Sequence, residues 1–115
     1  MIRWSPAAPG RTACPHRRLA RLLARMMPTG IELGRSTLRP WASANFVGAR
    51  HVFPCTLVPD GAPAMAAGAE VIAAAMQQMF GDQQWHVPGH IVADVAIEPA
   101  TDGRGLTIEM LTVEA

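Results

Sequence analysis

Tyrosine and lysine are both missing from this chain: among 115 residues there is no tyrosine, and all ten basic side chains are arginine. Three tryptophans and three phenylalanines are the only large aromatics, too little surface for a platform on which successive single-stranded bases would stack. The arginine-only, alanine-rich composition reads as GC-rich codon usage in a bacterial source genome, so neither count is taken as a functional signal. Cysteine is scarce as well. Cys14 and Cys55 stand far apart, with no CxxC or Cys/His spacing of a zinc site, and two reduced thiols in a cytoplasmic protein are the expectation. No run approaches the ~18 consecutive apolar residues of a membrane-spanning helix. There is no P-loop, no GxGxxG after a strand, no GxSxG elbow and no HExxH. No cofactor is therefore expected, and no residue is assigned a catalytic role.

What is present is enough for one modest core: half of the residues are apolar and 17% are charged, the profile of a folded globular domain. The net charge of +1 conceals an asymmetry. Residues 1–25 hold six arginines and no acid, residues 26–50 carry Arg35, Arg39 and Arg50 against Glu32, and residues 51–115 set Arg104 against eight acids. The basic charge belongs to the N-terminus.

Residues 1–27 form a basic leader or N-terminal extension, distinct from a single domain over 28–115. Within the leader, Leu19, Leu22, Leu23 and Met26 fall on one side of a helix and Arg17, Arg18, Arg21 and Arg25 on the other. Five readings fit this pattern: a transit peptide, a helix on an anionic membrane surface, a nucleic-acid-touching arm, a helix docked on the domain by its leucine face, and an upstream extension with Met26 or Met27 as the true start. Nucleic acid or anionic membrane becomes a partner only if residues 1–27 are native.

From Thr37 the sequence alternates. A two-residue type II′ turn at Gly48-Ala49 pairs Val47 with Arg50, which puts Phe46, Ala44 and Ala42 opposite His51, Phe53 and Cys55 on a core face that Leu57 extends. Pro54 predicts an edge or a bulge in the second strand. A helix follows, with Asp60 as N-cap, Pro63 in its first turn and Gly81 at C′. Met65, Ala69, Ile72, Met76 and Met79 are expected to face the sheet, with Glu70, Ala74, Gln77 and Gln78 outward. Residues 91–98 and 106–111 alternate as a second hairpin about the turn at 99–105. The prediction is an α+β two-layer sandwich: ββαββ, a four-stranded mainly antiparallel sheet with one helix on one face, plus an optional short N-terminal amphipathic helix.

Two constellations carry what chemistry there is. His86 and His90 have ligand-like spacing, and His51 sits near the predicted turn. However, Val87-Pro88-Gly89 lies between the pair, and a proline and a glycine deny it the helix that an i, i+4 metal pair needs. The segment reads better as a connection in which Trp85 and Val87 tuck against the core. The second constellation is Trp41, Arg50, Asp94 and Glu109, all projecting from the open face of the sheet among several valines. Tryptophan and arginine are interface residues. The leading expectation is a non-catalytic binding or assembly module, a homodimer or protein-partner complex formed through the open sheet face or an edge strand. The alternative is a small enzyme or metal-binding protein using His51, His86 and His90 with Asp94.

Overall fold

The computed structural model describes residues 14–58 and 68–115. Its elements are α1 (Pro15–Met26), β1 (Ile31–Leu33), β2 (Thr37–Ala42), β3 (Val47–Leu57), α2 (Ala69–Gly81), β4 (His90–Pro99) and β5 (Gly105–Glu114). The α+β class and the helix-on-sheet arrangement stand; the sheet has five strands rather than four, all antiparallel to their neighbours, in the order β1-β3-β5-β4 with β2 also on β3. β3 and β4 run parallel to each other with β5 between them, so the α2 crossover does not join adjacent strands.

The fifth strand arises from a break. β1 and β2 lie end to end along the same edge of β3: Leu33 pairs with Cys55, and Thr37 pairs with Val52. Three residues on one side, Gly34 to Ser36, thus span two on the other, Phe53 and Pro54. This is the two-sided mismatch of a β-bulge. The Gly34 amide still donates to the Pro54 carbonyl at 2.7 Å. Pro54 has no N–H to offer the same neighbour, so the ladder is weakest where the chain is kinked. β3 is therefore a central strand with a bulged partner.

The β2–β3 turn is not at Gly48-Ala49. It lies at Ser43 to Phe46, closed by Ser43 N–H donating to the Phe46 carbonyl at 2.8 Å, with Ala42 opposite Val47 and Arg39 opposite Arg50. The shift is by an even number of positions, so His51, Phe53, Cys55 and Leu57 keep the core face while every cross-strand partner changes. Gly48 is required for another reason: a Cβ there would run into the Thr112 carbonyl of β5 and crowd the Trp41 ring. Its missing side chain permits a close strand approach rather than a turn.

α1 begins with Pro15 at its first position and stops at Met27, ahead of Pro28, as proline's fixed φ and missing N–H dictate. Its leucine face is packed into the core, with Leu19 and Leu23 fully buried, while Arg17, Arg18, Arg21 and Arg25 stay exposed. α2 covers the same face of the sheet beside it. Its buried residues are Ala69, Ile72, Ala73, Met76 and Phe80. Met79 is 42% exposed, and the bulky inward residue at that end is Phe80 instead. Gln77, expected outward, reaches the free edge of β4: its Nε2 donates to the Val95 carbonyl and its Oε1 accepts from the Ile97 amide, both at 2.7 Å. The helix starts at Ala69 behind Gly68 and ends with Gly81 inside its last turn; the expected cap Asp60, Pro63 and Met65 lie outside the described residues.

β4 opens at His90 and carries a register shift between Val92 and Asp94. The connection before it behaves as its composition implies. Trp85 meets Phe80 edge-on at 5.7 Å between ring centroids, Val87 is buried, and Gly89 takes φ 76°, a left-handed conformation that favours glycine.

Candidate functional site

Ladder register fixes which residues share the open face. Across it run rows: Trp41, Gly48, Val113, Ile91; then Arg39, Arg50, Leu111, Asp94; then Thr37, Val52, Glu109, Ala96. Trp41, Arg50, Asp94 and Glu109 are thus all on one face. Only two of the four touch: Arg50 Nη1 donates to Glu109 Oε1 at 2.9 Å, a pair nearly half exposed on both sides. Asp94 is held off from Arg50 by Leu111, and Trp41 lies over Gly48 in the outer column. Trp41 Nε1 is covered and has no hydrogen-bond partner. Along the free edge of β4, a cleft of about 270 Å³ is lined by Gln77, Phe80, Trp85 and the bulged segment at 92–95.

The histidines of the alternative reading separate. His86 is exposed, and its carbonyl accepts from Arg18 Nε at 3.3 Å. His90 has Nδ1 3.0 Å from the Pro88 carbonyl oxygen. His51 is fully buried. Among the described residues no three His, Cys, Asp or Glu side chains approach as a metal ion requires.

His51 instead has a partner in His16, a residue outside both constellations. The bulge is what makes the site. In β1 the odd-numbered residues face the helices and in β2 the even-numbered ones do, as Leu33 opposite Cys55 and Leu38 opposite His51 show. The extra residue between the strands therefore sets Ser36 on the helix-covered side. There His16, on the first turn of α1, stacks on both His51 and Phe53, each at 5.1 Å between centroids. Its Nε2 is 2.7 Å from Ser36 Oγ and its Nδ1 is 2.9 Å from His51 Nδ1. On the far side, His51 Nε2 is 2.8 Å from Thr112 Oγ1, and the Thr112 hydroxyl donates to the Ala49 carbonyl at 3.4 Å.

Donor and acceptor accounting orients this chain. Thr112 spends its proton on Ala49, so its oxygen accepts from His51 Nε2–H; a neutral His51 then has only a lone pair at Nδ1, which accepts from His16 Nδ1–H. His16 Nε2 is left as an acceptor, and the Ser36 hydroxyl donates to it. Both rings are neutral at pH 7. Burial, followed by the charges of His16 and His90, holds His51 down to about 4, and burial lowers His16 as well. Charging either ring costs desolvation, and charging both would set two N–H groups against each other.

His16 was legible in part: with Leu19, Leu23 and Met26 it continues one stripe of α1 at helical spacing. Thr112 continues the alternation of Leu106, Ile108 and Met110. No local signal marks Ser36, whose orientation depends on a bulge. Compared with known proteins, the chain matches no family model, no curated protein and no solved structure.

Proposed function

We propose that this protein is a cytosolic assembly module that pairs with a second copy of itself through the open face of its sheet. The observation that carries this reading is the distribution of charge across that face. Arg39 and Arg50 stand on the β2–β3 half, and Asp94, Glu98 and Glu109 on the β5–β4 half. A two-fold axis parallel to the strands exchanges the two halves while keeping each row level. Arg39 then meets Asp94 of the second copy, Arg50 meets Leu111, Gly48 meets Val113, and Trp41 meets Ile91, which is 57% exposed. Such an isologous contact needs a self-complementary surface, and aligned packing of twisted sheets favours the central columns.

The area is modest. Four strands over nine residues span very roughly 500 Å² per copy, so a pair buries about 1,000 Å², at the lower bound of specific interfaces. A weak, micromolar dimer is expected. The two free thiols, Cys14 and Cys55, are in keeping with a reducing compartment.

Sedimentation velocity tests the reading. The wild-type protein should shift from monomer to dimer at high micromolar concentration, Asp94→Arg should abolish the shift, and the double exchange Arg39→Asp with Asp94→Arg should restore it. A wild type that stays monomeric throughout, or a double exchange that restores nothing, overturns the proposal.

A further inference from the structure

The Ser36, His16, His51, Thr112 chain sets a serine hydroxyl 2.7 Å from an imidazole whose other nitrogen is 2.9 Å from a second ring. A nucleophile within reach of a base, with that base oriented by a third group, is the arrangement that activates serine for acyl transfer. We infer that Ser36 is an acyl-accepting nucleophile, with His16 as its general base and His51 as the residue that positions His16, and that its substrates are small activated carboxylic esters.

Each link has a physical reason. Ser36 sits at the rim of the sheet in the bulge between β1 and β2 and is half-buried, with its hydroxyl 2.7 Å from His16 Nε2. Bulges commonly re-aim a side chain beside a reactive centre. His16 is held against the rings of His51 and Phe53, each 5.1 Å away between centroids, and by the Nδ1 contact, so it has little freedom to turn away. With the Thr112 hydroxyl donating to the Ala49 carbonyl, the tautomer of His51 that fits is the one whose Nδ1 accepts. Neutral histidine is the form a base needs. The titratable groups that face the pair are each other and His90 of β4.

In the step itself, a bond forms between Ser36 Oγ and the acyl carbon while the hydroxyl proton passes to His16 Nε2. The bond from acyl carbon to leaving oxygen then breaks, and that oxygen takes the proton from His16. Water repeats the sequence in reverse on the acyl-serine, releasing the carboxylic acid and regenerating the hydroxyl. The balance is one ester and one water to one acid and one alcohol. His16 as general base is worth on the order of 10²–10⁴ in rate.

A fluorophosphonate probe tests the assignment on the intact chain, because loss of fluoride leaves a phosphonyl group on the serine oxygen that intact and peptide mass spectra locate. At pH 7.5 a single adduct on Ser36 is expected, absent in Ser36→Ala and at least about tenfold slower in His16→Gln. Labelling should fall on acidification as His16 protonates. His51→Phe keeps the stack but removes the acceptor that favours a charged His16, so the acid limb of its labelling profile should move to lower pH. Circular dichroism confirms that each variant is folded. No adduct on Ser36 in the wild type, equal labelling of the exposed Ser43, an undiminished rate in His16→Gln, or an unshifted profile in His51→Phe would overturn the proposal.

Discussion

The two faces of the sheet solve opposite problems with the same strands. On the covered face, α1 and α2 bury Phe53, Ile108 and Met110 to 1% exposure or less, and the polar groups enclosed with them, His51 and Thr112, are partnered at 2.8 Å. On the open face, alternate residues of those strands, Arg50, Glu109 and Leu111, stay partly solvated. Among the described residues its one orphaned buried polar atom is Trp41 Nε1. A side chain is worth what surrounds it, and the period of two along each strand assigns neighbours in sequence to unlike surroundings.

The largest expected effect measures that difference directly. Phe53→Ala removes a ring that is 1% exposed and stacked under His16, and should cost about 3–5 kcal/mol. Leu111→Ala, on the open face of the neighbouring strand, should cost the monomer less than about 2 kcal/mol, because its side chain is only partly buried. Urea denaturation at low protein concentration reads both. Similar losses would break the distinction between the faces.

Acid should next attack the covered face alone. His51 is neutral in the fold, with its pKa lowered from 6.5 to about 4. Between those values the unfolded chain binds a proton that the folded one refuses, so stability is complete above pH 6.5 and falls as pH drops toward 4. The loss is up to roughly 3 kcal/mol, with His16 acting in the same direction. Unfolding free energy measured from pH 7.5 to 4 should show this slope in the wild type and lose most of it in His51→Phe. The Arg50–Glu109 pair of the open face contributes little, being exposed.

How much of this could be read beforehand follows from which periodicities are local. The alternation in β3, β4 and β5 and the leucine stripe of α1 are properties of single elements, and they name the covered face and the open one. Turn position and bulge are not local in that sense. Gly48-Ala49 has the composition of a hairpin turn, yet Gly48 is a strand residue whose reason lies in the Thr112 carbonyl across the ladder. Moving the turn to Ser43–Phe46 left His51, Phe53, Cys55 and Leu57 on the core face because the slip was even, but the residues expected opposite them are not core: Phe46 and Ala44 fall in the turn and, like Ala42, are exposed. The odd step of the Gly34–Ser36 bulge, by contrast, turns Ser36 toward His16. The candidate site was therefore invisible in proportion to its dependence on that single extra residue.

The smallest expected effect lies where the two faces meet, at the free edge of β4. Gln77 gives Val95 and Ile97 the hydrogen bonds that a further strand would give, and so blunts an edge that could otherwise pair with another chain. Gln77→Ala should cost about 1–2 kcal/mol for two bonds at a partly solvated site, with faster exchange of the Ile97 amide than of amides between β3 and β5. It also separates two routes to assembly. If copies associate by the open face, Gln77→Ala leaves the dissociation constant of the dimer unchanged, because the rows from Trp41 to Asp94 are untouched. Tighter association in this variant would mean that an uncovered β4 edge recruits the second copy, and the open face would lose its claim to be the docking surface.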